Sequence, residues 1–180
     1  MTEMVSFNDL IDGLEHLAVI FKGALNQVNP LVRVHSECLT GDVFHSARCD
    51  CGPQCREAIS MMRSQGGVLL YMRQEGRGIG LYNKLDAYVL QDTGMDTFEA
   101  NRALNFQDDQ RDYTPAAQML LALGVRQVEL LSNNPEKARQ LQSMGIKVSR
   151  QLRTRVHLTE QNRRYLLAKI KHADHSIKLD

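Results

Sequence analysis

Short apolar runs and helix-start signals alternate along the middle and the end of this 180-residue chain. The run at 67–72, GVLLYM, is short, apolar and preceded by turn residues, which is typical of a buried strand. Thr114–Pro115 and Asn134–Pro135 each place a capping side chain before a proline, a common start of a helix. The alternation predicts an α+β (mixed α/β) fold, in which a mixed, partly antiparallel sheet is flanked by helices.

The same patterns predict where most elements begin and end. Strands are expected at 16–22, 31–37, 67–72, 126–131 and 146–149. Helices are expected at 53–63, at 79–92, from Thr114 to Gly124, from a cap at Asn134 to Gly145, and at 160–173. Thr97 is expected to cap a further helix without a capping box. The helix at 79–92 is expected to bury one face, made of Leu81, Leu85, Tyr88 and Val89. No linker is evident, so residues 1–180 are predicted to form a single domain with a C-terminal helix and tail from about 158.

The composition is that of an ordinary globular protein, with 43% hydrophobic residues, 24% charged residues and a formal net charge of +1. Nucleic-acid-binding domains usually carry a strong basic excess, so nucleic acid is not an expected partner. The first residues do not resemble a secretion signal, and no apolar run is long enough to span a bilayer. We therefore predict a cytoplasmic protein without a membrane partner. In the reducing cytoplasm, clustered cysteines favour metal binding or catalysis over disulfides.

Three cysteines, Cys38, Cys49 and Cys51, lie within fourteen residues on loop-like sequence next to Gly41 and Gly52. Three thiolates can hold a zinc ion and leave its fourth tetrahedral position to water, whose pKa the zinc lowers towards neutrality. The alternative is a set of buried, reduced thiols. Cys55 leaves two further possibilities open, because it either completes a closed structural site or packs on the helix that contains it.

Several polar segments follow predicted strands and suit an anionic ligand. In the segment 73–80, RQEGRGIG, the glycines let the backbone approach a ligand, Arg77 can donate to a phosphate, and Glu75 can accept from a guanine edge. The alternative is a glycine-rich turn with a surface ion pair. The segment 132–137 offers either an anion site or an ordinary helix cap, and 107–113 either a functional or a solvated loop.

Arg33, His35 and Glu37 alternate on one predicted strand and therefore share the face that leads to Cys38. Three polar side chains on one face of an otherwise apolar strand are costly to bury unless they serve a function. The alternative is an edge strand that turns this face to solvent.

These segments together resemble GTP cyclohydrolase II, the enzyme family that opens the riboflavin pathway. The similarity is carried by RVHSECLTGD at 33–42, RCDCG at 48–52, RQEGRGIGL at 73–81, DQRDY at 109–113 and SNNP at 132–135. It runs from about residue 15 to 175 and includes a tail pattern of Asn162, Tyr165, Lys169 and His175. Residues 1–14 diverge from the family's usual opening, Asn105 stands where a glycine is usual, and Cys55 replaces a usually apolar residue.

The resemblance implies a homodimer that binds one zinc ion per chain through Cys38, Cys49 and Cys51. It also implies hydrolysis of GTP, with Mg²⁺ on the polyphosphate, to formate, diphosphate and 2,5-diamino-6-(5-phosphoribosylamino)pyrimidin-4(3H)-one. The residues that match the family's GTP contacts are Arg33, Val34, His35, Ser36, Glu37, Gln54, Glu75, Gly76, Arg77, Thr97, Ser132 and Lys137.

Three further residues match the family's catalytic positions. Asp109 matches the proton acceptor, Arg111 a proposed covalent nucleophile, and Tyr88 a tyrosine used in the ring-opening steps. Because a guanidinium is protonated at neutral pH, charge stabilisation at the α-phosphate is an equally good role for Arg111. The alternatives are a relative that stops at a formamidopyrimidine or at GMP, one that serves another guanine-derived pathway, and a GTP sensor without turnover.

Overall fold

A six-stranded mixed sheet organises the computed structural model, which describes residues 2–173. The strands are β1 (Thr2–Ser6), β2 (Leu17–Phe21), β3 (Leu31–Ser36), β4 (Gly67–Met72), β5 (Gln127–Leu131) and β6 (Lys147–Leu152). Their order across the sheet is β1-β2-β4-β3-β5-β6. The β1–β2 and β2–β4 pairs are antiparallel, whereas β3–β5 and β5–β6 are parallel, so the predicted mixed fold is confirmed.

Seven α-helices lie in the described part of the chain. They are α1 (Leu39–Asp42), α2 (Cys51–Gln65), α3 (Leu81–Asp92), α4 (Thr97–Ala103), α5 (Thr114–Ala122), α6 (Pro135–Ser143) and α7 (Arg163–Ala173). Short 3₁₀ turns occupy Ala24–Asn26 and Glu75–Gly78. None of the helices within residues 2–173 is long and apolar enough to cross a membrane.

Strand β4 is apolar on both faces because helices cover both sides of the sheet there, whereas the edge strands β1 and β6 are mostly exposed. In β4, Val68, Leu70 and Met72 contribute to one apolar cluster, and Leu69 contributes to a second. The first cluster takes its helical members from α5 and α6, and the second takes Ala58 and Met62 from α2. This is the short, continuous apolar pattern that strands show when both of their faces are buried.

The chain forms two compact units. The first comprises residues 2–35, 55–73 and 112–155 and contains nearly all of the sheet. The second comprises residues 36–54, 74–111 and 156–173 and contains α1, α3, α4 and α7. In the second unit α4 packs against both α3 and α7.

Most element predictions agree with the structure, but four details were wrong. Helix α2 begins at Cys51 rather than Pro53, and β6 extends to Leu152. Asp96, not Thr97, caps α4, and it does so through a capping box with Glu99. The buried face of α3 is formed by Lys84 and Ala87, whereas Leu85 and Val89 are 42% and 66% exposed.

Two further differences concern the sheet. Residues 2–6, for which no strand was predicted, form β1 at the sheet edge by pairing with β2. The edge-strand interpretation of 31–37 was wrong, because β3 lies between β4 and β5 and both Arg33 and His35 are buried. His175 of the predicted tail pattern lies outside the described residues.

Candidate active site

Three sulfur atoms converge in the second unit. The Sγ atoms of Cys38, Cys49 and Cys51 all lie within 4.8 Å of one another, and those of Cys38 and Cys49 are 3.7 Å apart. Two thiolates at about 2.3 Å from one tetrahedral zinc ion are about 3.8 Å apart, so the spacing fits such an ion. Cys38 lies directly before α1 and Cys51 begins α2, so the ends of two helices bring the sulfurs together.

Gly41 shows how closely the backbone wraps this cluster. A Cβ atom at this position would lie 2.8 Å from the Cys49 sulfur and 3.1 Å from the Cys38 sulfur. Real Cβ contacts are not that short, so only glycine lets α1 pass so near the thiols. The site around the three cysteines therefore requires a glycine at position 41, which the spacing of the cysteines alone did not reveal.

The charge on the three thiols is unevenly shared. Hydrogen bonds from Cys49 and Cys51, together with the positive charge of Lys84, lower the pKa of Cys38 to about 3 although burial opposes this. The hydrogen bond to Cys38 raises the pKa of Cys49. A soft, divalent cation binds cysteine as thiolate, so metal binding at these sulfurs releases the protons that they carry.

Cys55 is not a member of this group. Among the described residues, the group of side chains close enough together to hold a metal ion consists of Cys38, Cys49 and Cys51. Cys55 instead packs against the apolar cluster of the first unit that includes Ala58 and Met62. Its position agrees with packing rather than with a fourth ligand.

A buried ion pair lies next to the cysteines. Glu75 accepts hydrogen bonds from Leu39 N at 2.7 Å, from Gly76 N at 2.9 Å and from Lys84 Nζ at 2.8 Å. The same Nζ donates to Cys38 Sγ at 3.3 Å and to Thr40 Oγ1 at 3.0 Å. Burial lowers the pKa of Lys84, but the Cys38 charge and the Glu75 hydrogen bond outweigh it and raise that pKa overall. Lys84 is thus an ammonium ion beside the Cys38 sulfur.

Tyr88 lies one helical turn after Lys84 on α3. Its hydroxyl is 3.2 Å from Thr40 Oγ1, and the guanidinium of Arg48 lies 5.0 Å from its ring centroid. Burial raises the pKa of Tyr88, so the phenol keeps its proton at neutral pH. The residue expected to act in the ring-opening steps is therefore a hydrogen-bond donor.

Asp109 and Arg111 form a bidentate ion pair. Arg111 Nε donates to Asp109 Oδ1 at 2.8 Å, and its Nη2 donates to Oδ2. Arg111 also donates to Ser36 Oγ at 3.4 Å. Burial raises the pKa of Asp109, but the hydrogen bonds and charge of Arg111 hold it below its ordinary value. Such a carboxylate is a weak base, and its clearest effect is to fix the plane of the guanidinium.

Arg77 is held in an unusual backbone conformation close to this pair. Its φ angle is +66°, and its guanidinium lies 4.1 Å from the ring centroid of Phe98. Arg77 Nη1 donates to Asp108 O at 3.4 Å, and Gln110 N donates to Arg77 O at 3.0 Å. These contacts fix the 107–111 loop against the turn 75–78. Burial and the nearby positive charge of Arg111 lower the pKa of Arg77, so the two guanidinium groups lie within electrostatic range of each other.

The other expected substrate residues of the second unit have varied surroundings. Gln54 is buried and donates to Asp50, the residue between Cys49 and Cys51. Ser36, Glu37, Gly76 and Thr97 are all half-buried. Sequence analysis missed Lys84, and it did not connect Tyr165 to the metal site, although Tyr165 Oη lies 3.9 Å from Cys51 Sγ. An ionisable residue at an apolar position of α3 was the available signal for Lys84.

Five expected residues belong to the first unit. Arg33 and His35 are buried on β3; Arg33 donates to Leu131 O at 3.2 Å, and His35 stacks on Tyr71. The side chain of Val34 is fully buried in the apolar core, and its carbonyl accepts a 2.6 Å hydrogen bond from Lys137. Ser132 exchanges hydrogen bonds with the backbone of Asn134.

Comparison with known proteins gives the family of the chain. A family model described as GTP cyclohydrolase II matches residues 1–153. The chain belongs to the GTP cyclohydrolase II family. It is 57% identical over 178 residues to the GTP cyclohydrolase-2 of Vibrio cholerae serotype O1, an alignment that covers 98% of this chain and 90% of that protein.

Other relatives extend the comparison within the GTP cyclohydrolase II family. The GTP cyclohydrolase-2 of Psychromonas ingrahamii is 53% identical over 98% of this chain and 88% of that protein. The riboflavin biosynthesis protein RibBA of Thermotoga maritima is 49% identical over 98% of this chain and 45% of its own length. The family match begins at residue 1 and therefore includes the segment that forms β1.

Proposed function

We propose that this chain hydrolyses GTP to 2,5-diamino-6-(5-phosphoribosylamino)pyrimidin-4(3H)-one, formate and diphosphate, the first step of riboflavin biosynthesis. The observation that carries the proposal is the group of three cysteine sulfurs with Lys84 and Tyr88 beside it, in a member of this family. The names of its relatives, GTP cyclohydrolase-2 and the riboflavin protein RibBA, support the substrate and the pathway.

Cys38, Cys49 and Cys51 would hold a zinc ion. The sulfur spacing and the close approach of Gly41 fit a small, thiophilic cation held by three protein ligands. When bound there, Zn²⁺ supplies Lewis acidity and lowers the pKa of water towards neutrality. Formate release consumes two waters at one carbon atom, C8 of the guanine.

Tyr88 is suited to the second part of this chemistry. The first hydrolysis opens the imidazole ring and leaves a formamide, and the second cleaves that amide. As a protonated phenol, Tyr88 donates a hydrogen bond to the formyl oxygen or to the second water. We propose that its presence lets the reaction continue beyond the formamide.

We assign the phosphate chemistry to two arginines, Arg77 and Arg111. Arg77 and Arg111 supply positive charge to the α- and β-phosphates, and Asp109 orients the Arg111 guanidinium through two hydrogen bonds. Mg²⁺ would accompany the polyphosphate as part of the substrate. In this assignment Arg111 stabilises charge, and a covalent bond to its guanidinium is not required.

The remaining substrate contacts are proposed from the family pattern and from local surroundings. Ser36, Glu37, Gln54, Gly76 and Thr97 of the second unit, and Arg33, Val34, His35, Ser132 and Lys137 of the first, complete the set. Val34 contributes only its backbone, since its side chain is buried in the core. Three of the roughly four acceptor positions of the Glu75 carboxylate are occupied, so we assign Glu75 at most one hydrogen bond to guanine.

We further propose a cytoplasmic homodimer. Thiolate ligands require a reducing compartment, which is also where GTP is available. Tyr82, Leu85 and Val89 present an apolar surface on α3, with 81%, 42% and 66% of each residue exposed. A surface of this kind is typical of a protein–protein contact.

Product analysis tests the proposed function. Zinc-loaded protein is incubated with Mg²⁺ and GTP labelled at C8, and the products are separated and identified by mass spectrometry. Labelled formate and diphosphate are expected in equal amounts, together with the diaminopyrimidine. Unchanged GTP in the presence of folded, zinc-replete protein would contradict the proposal, and a nucleotide that retains labelled C8 would restrict it to partial hydrolysis.

A further inference from the structure

Lys84 is the buried cation that the family pattern left without a role. We propose that Lys84 is a positioning residue that holds the Cys38 sulfur and, through Thr40, orients the Tyr88 hydroxyl so that its proton is available to a ligand. The inference rests on the proposed function for its catalytic consequence. Its structural part, the contact between Lys84 and the metal-binding sulfur, can be tested without GTP.

The contacts of Lys84 account for all of its hydrogen-bonding capacity. An ammonium group has three N–H donors and no acceptor. Lys84 Nζ has three acceptors, Glu75 Oε1 at 2.8 Å, Thr40 Oγ1 at 3.0 Å and Cys38 Sγ at 3.3 Å. No donor is left for a phosphate, so Lys84 acts on its protein neighbours rather than on the substrate.

The direction of the next hydrogen bond follows from that geometry. Because Lys84 donates to Thr40 Oγ1, the Thr40 hydroxyl must direct its own proton elsewhere. Tyr88 Oη lies at 3.2 Å and Cys38 Sγ at 3.8 Å, and Cys38 already accepts from Lys84. The shorter contact is the better one, so Thr40 donates to the Tyr88 oxygen. The Tyr88 proton then points away from Thr40.

The ammonium also changes the electrostatics of the sulfur. Three thiolates and one divalent cation carry a net charge of −1, and Lys84 places a positive charge 3.3 Å from one of those thiolates. A nearby cation stabilises the sulfur lone-pair electrons, so it raises the energy needed to transfer them to a bound metal. Outer-shell groups of this kind commonly change activity about 10- to 100-fold when they are removed.

A structural ion pair with Glu75 is the simpler alternative, and it makes a different prediction. If Lys84 only neutralises Glu75, the double substitution Glu75→Gln/Lys84→Met should restore both thermal stability and the cobalt band, because it removes both buried charges. If Lys84 also acts on Cys38, the double variant should regain thermal stability while the altered metal spectrum remains. Activity of the double variant is not used, because Glu75 is itself a proposed guanine contact.

The experiment compares cobalt-substituted proteins and their reaction products. In Lys84→Met, the thiolate-to-Co²⁺ charge-transfer band is expected to move to lower energy, and the ratio of formate to diphosphate is expected to fall about 10- to 100-fold. Thr40→Val should lower that ratio with a much smaller band shift, and Thr40→Ser should restore it. Lys147→Met, which removes an exposed lysine from β6, is the matched control and should change neither.

The outcomes separate this inference from the proposed function. A Lys84→Met protein that binds one Co²⁺ with an unshifted band and a normal product ratio would overturn the inference, as would recovery of the unshifted cobalt band in the double variant. If Lys84→Met does not fold, Thr40→Val and the double variant decide the same question. Absence of formate from the unmodified protein would contradict the proposed function, while the cobalt band would still test the contact with Cys38.

Discussion

Cys49 and Cys55 lie six residues apart, yet their surroundings assign them opposite roles. The Cys49 sulfur is in contact with the Cys38 sulfur, whereas Cys55 packs beside Ala58 and Met62. Spacing alone left open whether the fourth cysteine closes the site. The distinction depends on where α2 begins and which way each side chain points, and a single sequence does not contain that information.

Replacing these two cysteines separately should have opposite effects on metal content. Cys49→Ser removes one of three thiolate ligands and is expected to reduce bound zinc well below one ion per chain and to abolish formate production. Cys55→Ala is the matched control and should retain both. Metal analysis of the purified variants checks this, and loss of zinc from Cys55→Ala would show that four sulfurs ligate the ion.

Lys84 shows why the site was only partly predictable from its residues. The three cysteines were recognised from their spacing, and Tyr88, Asp109 and Arg111 from the family resemblance. Lys84 was missed because the sequence pattern predicts that the helix buries its apolar residues Leu81, Leu85 and Val89. The structure instead buries the lysine, since Glu75, Thr40 and Cys38 supply acceptors from distant parts of the sequence.

At the scale of single elements, α4 illustrates how closely competing start signals can lie. Asp96 and Thr97 are both good capping residues, and sequence analysis chose the wrong one of the two. Asp96 accepts from the N–H groups of Phe98 and Glu99, and the Glu99 side chain accepts from Asp96 N. The three-residue spacing from Asp96 to Glu99 was the available signal.

By contrast, the bounds of β4 were predicted without error, because turn residues flank a short apolar run.

Removing this cap should destabilise α4 measurably. Asp96→Ala is expected to lower the free energy of unfolding by about 1 kcal/mol, because two backbone N–H groups lose their acceptor. Thr97→Ala removes a side chain that does not cap the helix and serves as the control. Denaturant unfolding of both variants measures the difference, and equal stability losses would contradict the assignment of Asp96 as the cap.

Asn105 follows α4 and explains one departure from the family pattern. Its φ angle is +63°, in the left-handed region that favours glycine and that asparagine tolerates better than most residues. The residue that stands where a glycine is usual therefore keeps the backbone conformation.

At the scale of the whole molecule, the sheet gives the protein its stability and the second unit carries the metal ligands. The sheet buries apolar side chains on both faces, which the alternation of strands and helices predicted. The order β1-β2-β4-β3-β5-β6 was not predictable, because it depends on pairing between strands far apart in sequence. The N-terminal strand illustrates this, since only its pairing with β2 makes it a strand.

The central claim is that three cysteine sulfurs hold the metal ion on which GTP hydrolysis depends. Metal-free protein should be titrated with zinc while the initial rate of formate release from GTP is recorded. The rate is expected to rise in proportion to bound zinc and to reach its maximum at one ion per chain. Full formate release from metal-free protein, or a maximum reached only when further zinc binds elsewhere, would contradict the account.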